Sequence, residues 1–152
     1  MKENINDKRL KGKEYDYSGK LKFEGEYLNR KRWIGKEYYD GKLEFEGEYL
    51  NGKRNKGKEY SDEELIFEGE YLNGKKRKGK EYSDGKLKFE GEYLNGERLN
   101  GKEFDYFGKI KFEGEYSKGK RWNGIVYDDN GKIKFKYLNG EKENKKIIFK
   151  WK

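Results

Sequence analysis

The chain contains no cysteine, no histidine and no proline among its 152 residues. Without cysteine and histidine it cannot form a disulfide framework, a Cys/His zinc site, a cysteine nucleophile or a histidine-based catalytic triad. No apolar run is long enough to cross a bilayer, and the N-terminal sequence MKENINDKRL lacks the apolar segment of a secretory signal. We therefore expect a soluble, cytoplasmic, non-enzymatic protein that holds no metal and no cofactor.

Apolar residues are also scarce. Only 31% of the residues are hydrophobic, whereas 45% are charged and the net charge is +8. Such a composition is typical of disordered chains. Aromatic residues nevertheless make up 17% of the sequence, and their large side chains can form a core from few residues. We predict an ordered fold with a thin aromatic core, and the length predicts a single domain over residues 1–152.

A segment of 22 or 23 residues recurs along the chain. Phenylalanine occupies positions 23, 45, 67, 89, 112 and 135, and the motif GKEY, or a variant of it, recurs in step. A fixed period in this range is typical of repeat proteins, in which each unit buries its apolar surface against its neighbours. The predicted repeats start near residues 21, 43, 65, 87, 110 and 133. A half repeat is predicted over residues 10–17 and a C-terminal capping strand over residues 146–151.

Both halves of each repeat are predicted to be β-strands. In LKFEGEY, residues 21–27, apolar and charged side chains alternate, which predicts that Leu21, Phe23 and Tyr27 share one face. Asn-Gly pairs such as the one at 51–52 favour tight hairpin turns, because both residues tolerate a positive φ. The predicted fold is all-β and has no helix: an elongated, single-layer, antiparallel meander of tandem hairpins. Its aromatic ladder comprises Phe23, Tyr27, Phe45, Tyr49, Phe67, Tyr71, Phe89, Tyr93, Phe112 and Tyr116.

These residues resemble the MORN repeat, in which an aromatic residue, a glycine, a second aromatic residue and a turn glycine precede a second strand. The positions that carry the resemblance within one repeat are Phe45, Gly47, Tyr49, Gly52, Gly57 and Tyr60. The chain departs from the family pattern where a single glycine, such as Gly35, replaces Gly-x-Gly, and where Arg30 replaces a turn glycine. The resemblance implies an elongated antiparallel sheet that binds protein partners, dimerises or acts at membranes. Some bacterial families with such repeats are labelled antitoxins.

Basic residues recur at the hairpin turns. Because the hairpins stack, we expect these residues to line one edge of the sheet, where they could meet anionic lipid, nucleic acid or an acidic protein. Simple solvation of the turns is the alternative. The candidate anion-binding edge comprises Lys31, Arg32, Lys53, Arg54, Lys75, Lys76, Arg98, Lys120 and Arg121.

One position varies between copies while its surroundings stay constant. A residue that differs in this way is a candidate for partner recognition, and tryptophan is favoured at the centre of protein interfaces. The alternative is that each tryptophan packs over a neighbouring turn. The candidate partner-binding residues are Trp33, Asn55, Arg77, Leu99 and Trp122.

Taken as a whole, the sequence predicts a non-enzymatic protein-binding or scaffold module. Rows of glutamate such as Glu24 and Glu46 give no support to glycoside hydrolysis, because identical repeats do not provide the one carboxyl group of raised pKa that this reaction needs. The partner is predicted to be another protein. The alternatives are anionic lipid or nucleic acid bound at the basic edge, an antitoxin or immunity function, and a homodimer formed through the terminal edge strands.

Overall fold

The structure is a computed structural model that describes residues 8–143. In this part of the chain thirteen strands form one open antiparallel sheet, with neighbours in chain order and no helix. The prediction of an all-β, single-layer meander is confirmed. The predicted capping strand at residues 146–151 lies outside the described residues. The strands are β1 (Arg9–Tyr15), β2 (Leu21–Leu28), β3 (Lys31–Tyr39), β4 (Lys42–Leu50), β5 (Lys53–Ser61), β6 (Glu64–Leu72), β7 (Lys75–Ser83), β8 (Lys86–Leu94), β9 (Glu97–Phe104), β10 (Ile110–Ser117), β11 (Lys120–Tyr127), β12 (Ile133–Leu138) and β13 (Glu141–Lys142).

Two kinds of turn connect the strands. In the two-residue turns both residues have positive φ, as at Asn51 (51°) and Gly52 (78°), and this geometry matches the twist of a hairpin. The loops at 16–20, 105–109 and 128–132 are one residue longer than the turn segments they replace. In the first of these loops, the carboxylate of Asp16 accepts hydrogen bonds from the backbone N–H groups of Ser18 (2.8 Å) and Lys20 (3.0 Å). The longer loops account for the 23-residue spacings.

A row of paired glycines crosses the sheet from β1 to β11. Beside this row the phenylalanine rings lie flat on the neighbouring strand: a Cβ atom added to Gly57 would lie 2.5 Å from Cζ of Phe45. Glycine therefore provides the space that lets the ring rest on the backbone. Phe45 and four of its counterparts, Phe23, Phe67, Phe89 and Phe112, are fully buried although residues 8–143 form a single layer. The row consists of Gly12, Gly25, Gly35, Gly47, Gly57, Gly69, Gly79, Gly91, Gly101, Gly114 and Gly124.

The aromatic side chains form one continuous edge-to-face series on the face that carries the phenylalanines, here called the aromatic face. Phe45 contacts Tyr49 of its own strand and Tyr71 of the next hairpin, each with ring centroids 5.7 Å apart. Phe67 repeats the arrangement with Tyr71 and Tyr93. The alternation links successive hairpins, because each buried tyrosine lies between two phenylalanines.

Each repeat also contains β-bulges, at which one residue has no direct partner on the neighbouring strand. In the β4–β5 pair, Glu48 lies opposite Lys56 and Tyr49 lies opposite Arg54, so Asn55 is the extra residue. Without the bulge, the alternation of side chains would place Glu48 and Arg54 on one face. The bulge therefore sets which residues of the second strand reach the aromatic face.

A bulge in the β1–β2 pair reverses one predicted side-chain orientation. Glu14 lies opposite Phe23 and Tyr15 lies opposite Leu21, with Lys22 as the extra residue. Because the successive residues Glu14 and Tyr15 point to opposite faces, Leu21 lies on the face opposite Phe23. The prediction that these two side chains share a face is therefore wrong, because the two-residue alternation of side chains is interrupted by the inserted residue.

Candidate functional site

A row of basic side chains covers the aromatic face. The guanidinium carbon of Arg54 lies 4.4 Å from the ring centroid of Phe45, and Arg32 lies 4.3 Å from that of Phe23. Lys76 repeats the contact with Phe67 at 4.3 Å. These cation–π contacts explain how an aromatic layer is shielded from water without a second sheet. The row comprises Arg32, Arg54, Lys76, Arg98 and Arg121.

Glutamates from the GKEY motifs neutralise these cations. Arg54 contacts Glu37 at 2.6 Å and Glu59 at 3.5 Å, so one guanidinium joins two neighbouring repeats. Arg32 likewise contacts Glu37, at 2.7 Å, and Glu14. We call this series the ion-pair row. It comprises Glu14, Arg32, Glu37, Arg54, Glu59, Lys76, Glu81, Arg98, Glu103 and Arg121.

The electrostatics of this row disfavour acid catalysis. Burial is the largest single influence on Glu81 and Glu103 and opposes their ionisation. Hydrogen bonds from arginine and tyrosine together with the nearby positive charge outweigh it, so the pKa of each carboxyl group is below its ordinary value. A general acid working near neutral pH needs a shift in the opposite direction. These two carboxylates are therefore suited to holding cations in place.

The predicted basic edge is divided between the two faces of the sheet. Arg32 lies opposite Tyr27 on the aromatic face, whereas Lys31 lies opposite Leu28 on the other face, which we call the polar face. Arg32 and the four equivalent residues of the other hairpins lie on the aromatic face and belong to the ion-pair row. The lysines at the position of Lys31 are exposed on the polar face: Lys31, Lys53, Lys75 and Lys120.

The five variable positions are the extra residues of one set of bulges. Asn55, Arg77 and Leu99 each occupy this place in their hairpins, and Trp33 and Trp122 do so near the two ends of the sheet. A bulged residue has no cross-strand partner to match, so the fold constrains its identity less than that of its neighbours. Their variation therefore has a structural basis that the sequence did not reveal.

These variable side chains make contacts at the polar face. Arg77 forms an ion pair with Glu70, and Arg9 lies over the ring of Trp33 at 4.7 Å. Trp122 packs over the Asn-Gly turn of the next hairpin, where a Cβ atom on Gly140 would lie 3.0 Å from the indole ring. Trp122 still keeps 39% of its surface exposed. Both tryptophans therefore pack within the array, and Trp122 in addition keeps exposed surface.

Leucines before the Asn-Gly turns were not among the predicted site residues. Leu50 and Leu72 are 62% and 61% exposed, and each lies opposite a lysine, Lys53 and Lys75 respectively, on the polar face. The signal was present in the sequence: each leucine follows an aromatic-face tyrosine directly and must point the other way.

A cleft of about 710 Å³ lies among the return turns near the N-terminal end of the sheet. Its lining includes the exposed Tyr17 and Tyr39, together with Lys20, Glu37 and Arg54. Lys20 forms an ion pair with Asp40 of the next turn, and Glu37 and Arg54 belong to the ion-pair row. Lys20, Glu37 and Arg54 thus already have charged partners within the array.

The comparison with known proteins finds no matching family model and no matching curated protein. Within residues 8–143, no helix is suitable for crossing a membrane. The same residues contain no group of three acidic side chains placed to hold a metal ion.

Proposed function

We propose that this chain is a non-enzymatic, MORN-like scaffold of the cytoplasm that binds another protein on its polar face. The observation that carries the proposal is the difference between the two faces. On the aromatic face, charged side chains pair with one another above a buried aromatic ladder. On the polar face, side chains that differ from repeat to repeat project from an otherwise constant framework.

This difference favours recognition over catalysis. The ion-pair row repeats the same environment several times and provides no single distinctive constellation of reactive groups. The bulge positions instead give each repeat its own side chain at the same place. A ligand that spans several repeats would meet Trp33, Asn55, Arg77, Leu99 and Trp122 in order, which provides specificity along a rigid sheet.

The test is a pull-down from a lysate of the source organism with the chain immobilised, washed at low and at physiological salt. We expect one protein to be retained at physiological salt by the wild type and to be lost from the Leu99→Ala/Trp122→Ala variant. Tyr17→Ala is the control, because Tyr17 is fully exposed in a return turn at the opposite edge. Retention that is unchanged by the double variant would contradict the proposed face, and absence of any retained protein would contradict the function.

Anionic lipid or nucleic acid is the second candidate ligand. It is favoured by the exposure of Lys31, Lys53, Lys75 and Lys120 on one side of the polar face. Binding of this kind depends on charge and weakens steeply between low and physiological salt. Retention of lipid or nucleic acid alone, lost as the salt concentration rises, would support it over the protein-binding proposal.

Two narrower proposals concern the partner itself. An antitoxin or immunity function requires that the single retained protein be toxic when expressed alone and harmless when co-expressed. A homodimer through the terminal edge strands requires an open strand, and within the described residues β1 pairs only with β2. Sedimentation measurements across a range of protein concentrations test the dimer.

A further inference from the structure

On the polar face, leucine and lysine alternate beside the two-residue turns from β2 to β7, and Leu94 of β8 follows them. In each hairpin of this row the residue before the turn lies opposite the residue after it, as Leu50 lies opposite Lys53. Leu50, Leu72 and Leu94 keep 62%, 61% and 59% of their surface exposed. We call this series the leucine–lysine row. It comprises Leu28, Lys31, Leu50, Lys53, Leu72, Lys75 and Leu94. Glu97, which lies opposite Leu94, ends the row.

Both residue types in the row are available to a ligand. Covering a leucine that is more than half exposed removes apolar surface from water, which favours binding. Lys31, Lys53 and Lys75 form no ion pair with any described residue, in contrast to the arginines of the aromatic face. With a net charge of +8 for the whole chain, the row is suited to an acidic ligand that also carries apolar groups.

The spacing of the row constrains the shape of that ligand. Leucine recurs once every two strands, which at ordinary strand separation is about 9.6 Å. Three residues of an extended polyproline II segment make one turn and span about 9.3 Å, so every third side chain points to the same side. Seven residues of an α-helix span about 10.5 Å, so a helix would fall out of register within a few repeats, and a straight helix cannot follow a twisted sheet.

We propose that the leucine–lysine row binds an extended acidic segment of a partner protein, with an apolar residue at about every third position. This inference rests on the proposed protein-binding function and names the chemistry of the partner. The apolar side chains pack on the leucines, and the acidic residues between them meet the lysines. A flexible acidic segment can follow a curved row and cover several repeats.

The neighbouring row on the polar face argues against a flat anionic surface. Glu48 and Glu70 lie two positions inward from Leu50 and Leu72 on the same face, opposite Lys56 and Lys78, so this inner row adds no net positive charge. A membrane would approach these carboxylates together with the lysines of the leucine–lysine row. A single chain can instead bind along that row without covering the carboxylates. Nucleic acid gains little from leucine, because bases stack on aromatic or guanidinium planes.

The experiment measures the fluorescence anisotropy of a labelled peptide made of repeated Glu-Asp-Leu triplets, at physiological salt. We expect binding to the wild type, and binding that is weaker by about tenfold or more for the Leu50→Ser/Leu72→Ser/Leu94→Ser variant. The Lys53→Glu/Lys75→Glu variant should bind the peptide more weakly by a similar factor. All these side chains are exposed, so circular dichroism should show an unchanged sheet.

Matched controls test whether position, and not composition, is responsible. Tyr17→Ser/Phe107→Ser removes exposed aromatic surface at the other edge, and Lys111→Glu/Lys134→Glu reverses two exposed charges outside the row. Both control variants should bind the peptide as the wild type does. A second peptide of the same composition, with all its leucines grouped at one end, should bind more weakly.

The remaining outcomes separate this inference from the proposed function. Equal binding of the two peptides, or equal loss in the control variants, would overturn the inference. Failure of the triplet peptide, together with a lysate protein retained through Leu99 and Trp122, would overturn the inference and leave the proposed function intact. Leucine-dependent binding to phosphatidylserine vesicles without peptide binding would overturn it in favour of a membrane surface.

Discussion

The hydroxyl group of Tyr71 donates a 2.8 Å hydrogen bond to Glu59, whereas the equivalent hydroxyl of Tyr49 has no hydrogen-bond partner in the described part of the chain. Both tyrosines are 5% exposed. The difference follows from the ion-pair row. Glu37, which would accept from Tyr49, already accepts hydrogen bonds of 2.7 Å from both Arg32 and Arg54. Two arginines thus compete with one tyrosine for the same carboxylate.

This competition predicts opposite effects for the same substitution at two sites. Tyr71→Phe removes a hydrogen bond to a charged acceptor and should lower the free energy of unfolding by about 1–2 kcal/mol. Tyr49→Phe removes a buried hydroxyl without a partner and should leave the free energy of unfolding unchanged or raise it by up to about 1 kcal/mol. Urea denaturation followed by tryptophan fluorescence measures both. Equal losses at the two sites would contradict the explanation.

The ion-pair row predicts a stabilising change at Lys76. The single ammonium group of Lys76 contacts Glu59 at 3.3 Å, and within the described residues no ion pair joins it to Glu81. Arg54, at the equivalent position, contacts the glutamates on both sides. Lys76→Arg should therefore connect the two halves of the row and raise the free energy of unfolding by about 0.5 kcal/mol, because a planar guanidinium can serve two carboxylates.

The control for this prediction is the reverse substitution at the equivalent position of the preceding repeat. Arg54→Lys should lower the free energy of unfolding by a similar amount. Both effects should shrink in high salt, since the side chains are partly exposed and salt screens them. A stabilisation by Lys76→Arg that persists in high salt would point to packing over Phe67 as its cause.

Buried tyrosines predict a loss of stability in alkali. Burial, together with the nearby Glu59 and Glu81, raises the pKa of Tyr71 and Tyr93 well above the ordinary value of 10.0. Above about pH 10 the unfolded chain releases these protons while the folded chain keeps them, so the unfolded state is favoured as the pH rises. Their contribution to stability is therefore complete below pH 10 and is lost progressively above it.

Urea midpoints between pH 8 and pH 12 measure this loss. The decline should begin near pH 10 and should be shallower in the Tyr71→Phe/Tyr93→Phe variant, which has fewer groups to ionise on unfolding. The hydroxyl groups of Tyr60 and Tyr82, on the polar face, have pKa values raised by partial burial and by Glu46 and Glu68, respectively, to about 12. These two tyrosines remain in the variant, so part of the decline of its urea midpoint with pH should persist. A midpoint independent of pH over this range would contradict the prediction.

The fold could be predicted from the sequence because its signals are local and repeated. The alternation in LKFEGEY indicates a strand, and the positive φ values of Asn51 and Gly52 realise the turn that their residue types favour. Each copy repeats these signals, so the strand order follows from chain order. The 23-residue spacing also corresponds to a definite feature, a longer loop closed by an aspartate such as Asp16.

The distribution of side chains between the faces could not be predicted, because a bulge reverses the alternation and leaves no clear mark in the sequence. In the sequence Lys31 and Arg32 are simply a basic pair, yet Lys31 reaches the polar face and Arg32 pairs with Glu14 and Glu37. The role of Arg32 depends on contacts with residues from other strands. Long-range ion pairs of this kind are set by register, and a register changes by one residue at every bulge.

The first two-residue turn of the array, between β2 and β3, contains a strained residue that a single change should relieve. Arg30 has φ of 67° in the place where the next hairpin has Gly52, with φ of 78°. A residue with a Cβ atom is disfavoured in this left-handed region. Arg30→Gly should therefore raise the free energy of unfolding by about 1 kcal/mol, even though glycine also increases the conformational freedom of the unfolded chain. Gly52→Arg is the matched reverse change and should destabilise the protein by a similar amount, as measured by urea denaturation. If both variants lowered the stability, the arginine at position 30 would be making a favourable contact that outweighs its backbone strain.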